Sequence, residues 1–322
     1  MEAIFSAYRE RLSRLRDNSN PYSAGIAWVA GEIVPLLEAK IPLIDQGFMH
    51  SDLTYDVVSV WDGRFFRLDD HIDRLEASCS RIRLRIPLEK NKLEGVLVDM
   101  ARQSRIPDAC VQIVVTRGLK GVRANKLEHL TNLLYILLVP YVWLMEPEAQ
   151  YHGGRAVVAK TVQRVPPGAM DPTVKNLQWG DFTRGMFEAS DRGAEYAFLT
   201  DGNQNLTEGP GFNIHLVKDG IIHTPDRGCL HGITRDAVFE IAKANGIEAR
   251  AEAVPVEMAY RCDEIFTSTT AGGILPITAL DGQPVHEGKV GPITRIIRDA
   301  YWTMHSDPAH SLDVFGVESH GK

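Results

Sequence analysis

"DPTVKNLQWGD", residues 171–181, sets a lysine among neighbours that do not read as surface. Asp171 and Pro172 make a turn, Val174, Leu177 and Trp179 are apolar, and a helix is expected from Asp181. An exposed cation is the commoner fate of a lysine. A lysine held indoors has other uses. Its free amine, with a pKa of about 10.4, is a poor nucleophile near neutrality. Burial lowers that value, and Schiff-base formation with an aldehyde removes the charge altogether. Which reading holds for Lys175 depends on what else the chain carries.

Four further stretches could carry chemistry. In "LTEGPGFNIHLV" (206–217), Glu208 stands before a Gly-Pro-Gly run and a strand, so a rigid backbone aims it. Beside a pyridine ring such an acid holds the ring nitrogen protonated and makes the ring an electron sink. In "LHGITRDAVFEIA" (230–242), Gly232 allows close backbone approach and Thr234 is placed to cap the following helix. The N–H groups of Ile233 and Thr234 then form a ready anion site. "FTSTTAGGILPI" (266–277) ends a strand in hydroxyls and glycines, which can also hold phosphate. In "LDDHIDRLEAS" (68–78), His71 and Arg74 share a helix face, and Arg74 can meet a phosphate with two N–H groups. Taken singly, each has a commoner reading: a turn residue, a capped helix, a glycine-rich turn, a surface ion pair.

The pattern along the chain is α+β, with two strand-rich halves. A polar helix over 3–17 precedes short strands around "GIAWVAGEIVPL". "LTYDVVSVW" (53–61) is a strand, Asp62-Gly63 a hairpin turn and "RFFRL" the return. Asp69 or Asp70 can cap a helix on which Ile72, Leu75, Cys79 and Ile82 recur at helical spacing. A second amphipathic helix over 88–104 leads to the strands "CVQIVVTRG" and "NLLYILLVPY". Periodicity then lapses through "VWLMEPEAQYHGG" (142–154). This divides the chain into an N-terminal α/β domain (1–141), a linker (142–149) and a C-terminal domain (150–322). The C-terminal part holds the strand "RAVVAKT", a helix over 181–193 and short strands broken by Asp-Gly at 201–202 and 219–220. The helix "TRDAVFEIAKANG", two more strands and a last helix near 293–305 complete it.

Several classes are excluded. The 322 residues carry 35 basic and 42 acidic side chains, a net charge of −7, with no basic run suited to nucleic acid. No GxGxxG opens a helix after a strand, and neither GxxxxGK[ST] nor HExxH is present. Cys79, Cys110, Cys229 and Cys262 lack metal-ligand or disulfide spacing, as expected for reduced thiols in a cytoplasmic protein. The N-terminus lacks a signal-peptide core, and the most apolar run, Leu133–Met145, is broken by Pro140 and too short to span a bilayer.

The order of the five stretches is more specific than any one of them. An arginine, a lysine, an acid some thirty residues on, a helix N-terminus and a Thr-Thr-Ala-Gly-Gly loop together resemble the fold-type IV pyridoxal-phosphate enzymes. The resemblance runs from about Ile26 to Trp302. "DQGFMHSDLTYDVVSVWDGRFFRLDDHIDRLEAS" (45–78) is similar to the family's N-terminal signature, and "LTEGPGFNI" and "GITR" to its C-terminal ones. Within the family, "HSDLTYDV", "TRGLKGVR", "QRVPPGAMDPTVKNLQWGD" and "STTAGG" most resemble the fungal-type (R)-selective amine transaminases.

The resemblance implies a small N-terminal two-layer domain, a larger C-terminal pseudo-barrel and a homodimer. It implies that pyridoxal 5'-phosphate is carried by Lys175, faced at its ring nitrogen by Glu208 and held at its phosphate by Arg74, Ile233, Thr234 and Thr269. His50, Tyr55, Val57, Cys110, Trp179, Thr270 and Ala271 would surround the substrate, and Arg123 would receive a keto-acid carboxylate from a mobile glycine-rich loop. The implied reaction is a ping-pong transfer of an amino group from a primary amine to a keto acid such as pyruvate, with Lys175 as nucleophile and acid–base group. Cys110 stands where the family commonly has an aromatic residue, which implies a roomier pocket. Branched-chain and D-amino-acid aminotransferases, and lyases resembling aminodeoxychorismate lyase, share the scaffold and are the alternatives.

Overall fold

The computed structural model describes residues 1–16, 20–121 and 126–316. In chain order the elements are α1 (Glu2–Arg16), β1 (Ile26–Val29), β2 (Glu32–Pro35), α2 (Gln46–His50), β3 (Leu53–Trp61), β4 (Arg64–Phe66), α3 (Leu68–Arg81), α4 (Lys90–Ser104), β5 (Ala109–Thr116) and β6 (Leu133–Pro140). They continue with β7 (Gly154–Val158), α5 (Gly180–Asp191), β8 (Tyr196–Phe198), β9 (Glu208–Gly209), β10 (Phe212–Lys218), β11 (Ile221–Pro225), α6 (Ile233–Ala244), β12 (Ala249–Glu252) and α7 (Val256–Ala259). Last come β13 (Glu264–Thr269), β14 (Gly273–Leu280), β15 (Gln283–Pro284), α8 (Pro292–Met304) and β16 (Ser311–Asp313). They fall into two compact units. One holds residues 1–142, 174–177 and 304–322, the other 143–173 and 178–303. Chain order alone assigned 174–177 and 304–322 to the C-terminal part, whereas they group with the first unit.

The first unit is an antiparallel sheet ordered β16-β4-β3-β5-β6-β1-β2, with α3 and α4 packed on one face. The period of two along each strand sorts the side chains. Val58 and Val60 of β3 and Val111, Ile113 and Val115 of β5 enter a core with Ile72 and Leu75 of α3 and Leu93, Leu97 and Met100 of α4. The alternate residues Leu53, Tyr55, Val57 and Val114 meet Tyr135 in a second apolar cluster. Both faces of β3 are thus apolar, which is why "LTYDVVSVW" reads as a nearly continuous run. Asp62 and Gly63, with φ of 50° and 70°, make the tight turn that matches strand twist. α3 begins after Arg67, which adopts a left-handed φ of 53° and gives no side-chain cap. Asp70, expected as a cap, instead accepts from Arg67 Nε at 2.5 Å.

The second unit is a mixed sheet with the path β12-β11-β10-β13-β14-β7-β8, β9 pairing with β10 and β15 with β14. Its consecutive parallel pairs, β7–β8 and β11–β12, are each joined through a helix, α5 and α6, as parallel neighbours require. The edge strand β8 does not stay open. Leu199 N donates to Glu208 O at 3.0 Å and Thr207 N to Leu199 O at 2.9 Å, tying the end of β8 back to β9 and so to β10. The sheet therefore rolls toward closure, the pseudo-barrel that the resemblance implied. Its core gathers Phe198, Ile214, Leu216, Ile265, Leu275 and Ile277. Gly273, at φ 75°, begins β14 where an added Cβ would stand 2.6 Å from the Tyr301 ring. No helix among the described residues is long and apolar enough to cross a membrane.

Leu97→Ala should cost about 2–5 kcal/mol through the cavity it leaves in the first core, read as a lower midpoint in urea unfolding. Gly273→Ala should lower the melting temperature through both strain and overlap with the Tyr301 ring. A wild-type melting curve would contradict the assigned backbone.

Candidate active site

In the first unit, β3 fixes the lysine. The carbonyl of Lys175 accepts from Tyr55 N at 3.1 Å and from Thr54 Oγ1 at 2.7 Å. Val174 beside it is buried. The half-buried Lys175 side chain runs over the Tyr55 ring, with the amine 4.8 Å from its centroid. An amine laid against an aromatic face has lost part of its hydration.

The next residue on β3 organises the cations. Asp56 is fully buried; its Oδ1 accepts from His71 Nδ1 at 2.7 Å and Arg74 Nη2 at 2.8 Å, and its Oδ2 from Arg74 Nε at 2.7 Å. Burial works against its charge, but Arg74 and His71 more than offset that and hold it well below the usual carboxylate range. Burial lowers the His71 pKa against the pull of Asp56, and the charges of Arg74 and Lys175 lower it further. A neutral imidazole therefore presents its Nδ1 proton to Asp56. The outcome is a guanidinium held in one orientation, with its Nε and one Nη2 proton committed to Asp56. Asp56 escaped the sequence reading, although a charged residue inside "LTYDVVSVW" was a visible signal.

Cross-strand register puts Tyr55, Val57 and Cys110 on the face opposite Asp56. Tyr55 pairs with Val114, Val57 with Gln112 and Ser59 with Cys110. Cys110 is buried, its thiol pushed up to about 11 by burial. Gln112, half-buried beside Val57, is a polar group on this face that sequence reasoning passed over. His50 ends α2 in an exposed position, its Nδ1 3.1 Å from Gln46 Oε1. Arg123 lies outside the described residues.

In the second unit, Glu208 is 5% exposed. Its Oε1 accepts from Arg164 Nε at 2.9 Å and its Oε2 from Leu230 N at 2.9 Å. Asn213 ties its surroundings together. This residue pairs with Glu208 across β9–β10, donates to Leu230 O at 2.7 Å and lies so close to Gly232 that a Cβ there would be 2.2 Å from its Oδ1. The helix start differs from expectation. Gly232, not Thr234, is the N-cap of α6, and no side chain caps it. The first N–H groups of α6, those of Ile233 and Thr234, are thus left for another acceptor, and the glycine lets one approach. Thr269 ends β13 with its hydroxyl donating to Gly211 O at 2.8 Å and accepting from Ala271 N at 3.2 Å. This Ala271 and Thr270 occupy the half-buried turn into β14. Trp179 precedes α5 and packs edge-on against Phe182, ring centroids 5.5 Å apart.

Asp56→Asn should destabilise the protein by about 3–5 kcal/mol at neutral pH, since it removes the carboxylate that offsets the charge of a partly buried arginine. The sign of the pH effect follows from the lowered pKa. The carboxylate's contribution is complete above its unfolded pKa of about 3.9 and is lost as pH falls from there toward the folded value. The gap between wild type and variant in urea unfolding should narrow in acid; a gap independent of pH would contradict the pairing.

Residues 53–280 match the family described as Amino-transferase class IV. A putative branched-chain-amino-acid aminotransferase of Methanocaldococcus jannaschii is 31% identical over 85% of this chain and 94% of its own. A D-alanine aminotransferase of Listeria monocytogenes is 32% identical over 83% and 91%. Among solved structures, the Escherichia coli branched-chain amino acid aminotransferase superposes with a TM-score of 0.84 at 27% identity, over 90% of this chain and 99% of its own. The T.th. branched-chain enzyme, solved with pyridoxamine 5'-phosphate, gives 0.84 at 25% identity over the same shares. Each unit holds groups that suit that class of cofactor: in the first, an oriented guanidinium and a lysine laid on an aromatic ring, and in the second, a buried acid and an uncapped helix start beside a glycine. The chain belongs to the class IV aminotransferases, pyridoxal 5'-phosphate-dependent enzymes of fold type IV.

Proposed function

We propose that the enzyme is an (R)-selective amine transaminase, passing an amino group from a primary arylalkyl amine to a keto acid such as pyruvate. The observation that carries this reading is the placement of the Lys175 amine against Tyr55, on the sheet face where Leu53, Val57 and Val114 form an apolar cluster. A wall of that kind favours an aryl or alkyl arm at the reacting carbon.

Pyridoxal phosphate, when bound, supplies the aldehyde that takes up the amino group and the ring that stores the electrons released with the substrate's proton. The chain's residues do the rest. Lys175 holds the cofactor and carries the proton between substrate and cofactor carbons. Glu208 keeps a proton on the ring nitrogen. Arg74, the N–H groups of Ile233 and Thr234, and Thr269 bind the phosphate. Tyr55, Val57, Cys110, Trp179, Thr270 and Ala271, with His50, shape the substrate space, and Arg123 binds the keto-acid carboxylate. The exposed Leu37, Leu43, Phe48 and Met49 support self-association as a homodimer.

A second reading, an amino-acid aminotransferase, is favoured by the names of the relatives, which are branched-chain and D-alanine enzymes. One substrate panel decides. (R)-1-phenylethylamine with pyruvate should turn over, the (S) enantiomer should not, and L-leucine and D-alanine should be poor donors. Efficient use of either amino acid with no phenylethylamine turnover would overturn the amine reading. Lys175→Ala should lose about 10²- to 10⁴-fold or more in rate, and Arg123→Ala should raise KM for pyruvate while leaving that for the amine.

A further inference from the structure

Behind Glu208 lies a buried chain of charges that the roles above do not use. Arg164, 7% exposed, donates through Nε to Glu208 at 2.9 Å and through Nη1 to Asp181 Oδ2 at 2.6 Å. Asp181, 8% exposed, also takes the backbone N–H of Val165 on Oδ2 at 3.0 Å, and that of Phe182 on Oδ1 at 2.8 Å. The guanidinium lies over the Phe182 ring, Cζ 4.2 Å from the centroid. All these groups belong to one compact unit. An arginine on the carboxylate meant to attract a ring proton poses a problem. Glu208 and Arg164 alone form a neutral pair, which offers a cationic ring little. Asp181 restores one net negative charge to the group. The fork of Arg164, fixed from behind, also aims the glutamate.

We propose that Arg164 and Asp181 are positioning residues for the cofactor's ring nitrogen: Arg164 orients the Glu208 carboxylate, and Asp181 supplies the negative charge that lets Glu208 keep that nitrogen protonated. This rests on the reading of Glu208 as the ring-nitrogen partner. Other ionisable groups surround the cluster. Burial and then Glu208 push the Cys229 thiol up to about 12, so it is uncharged. Arg235 and Asp226 add one cation and one anion nearby, and Arg235 is itself bound to Pro225 O at 3.0 Å. Burial opposes the charge of Arg164, but Glu208 and Asp181 outweigh it and hold the guanidinium above its ordinary value.

The test uses the holoenzyme loaded with ring-¹⁵N pyridoxal phosphate, whose nitrogen resonance reports its protonation directly. Asp181→Asn keeps an oxygen for Arg164 and for the N–H of Val165 but removes the charge. The ring-nitrogen titration midpoint should fall by about one pH unit, tenfold in the protonated ratio, with kcat lowered and KM little changed. Asp181→Glu should restore much of the shift. Adding Asp181→Asn to Glu208→Gln should move the resonance no further than Glu208→Gln alone. If Asp181→Asn does not fold, Arg164→Lys takes its place: the charge remains, the fork is lost, and kcat should fall with the midpoint near wild type. A wild-type midpoint in Asp181→Asn, additive shifts in the double variant, or a wild-type kcat in Arg164→Lys would overturn the proposal while the Glu208 reading stands. An unchanged resonance in Glu208→Gln would overturn that reading, and the proposal with it.

Discussion

The carbonyl of Lys175 accepts two hydrogen bonds at the start of β3, from the Tyr55 amide and the Thr54 hydroxyl. The peptide segment 174–177 is thereby fastened to a strand whose other residues are equally committed. Thr54 and Asp56 face one side, Tyr55 and Val57 the other. One strand thus fixes the lysine's main chain, gives its amine an aromatic floor and, through Asp56, orients the Arg74 guanidinium. Rigidity at this level matters to the proposed role of Lys175, because a reacting group displaced by about an ångström forfeits much of its advantage.

Both units bury charge in the same manner. In each, a carboxylate is satisfied by an arginine and by a third group: His71 beside Asp56, Asp181 behind Arg164. Such clusters are poor sources of stability, since desolvation consumes most of the Coulombic gain. They do fix direction. A residue held on two sides is kept from swinging when a charged ligand enters and leaves. The helix start at Ile233 follows the same logic, with Asn213 holding the loop before it and Gly232 leaving its N–H groups accessible.

Much of the fold could be read from residues alone, and the gaps have physical causes. β3, α3, α4, β5 and α6 were evident because their apolar periods are long and their turns carry Asp-Gly or glycine. β9 and β16, two and three residues long, leave no period to detect. The closure of β8 onto β9 rests on two backbone bonds that no side-chain pattern reports. Lys175 and Glu208 stood out by their company, whereas Arg164 and Asp181 did not. Seventeen residues separate them in the chain, and only the fold brings them to one carboxylate. Asp181 looked like the start of a helix and lies in the first turn of α5, one residue past its start at Gly180; its inward turn toward Arg164 is a tertiary fact. Thr234 was assigned as a cap on the preference of threonine for that place, yet the space against Asn213 admits only glycine at the position that begins the helix.

Everything in the site turns on whether the amine at position 175 bears the cofactor. Treating the holoenzyme with borohydride and mapping the modified peptide by mass spectrometry tests this most directly. One reduced pyridoxyl group is predicted, on the peptide spanning DPTVKNLQWGD and at its lysine. A label on any other lysine, or a protein that retains the cofactor yet yields no modified lysine, would contradict the assignment.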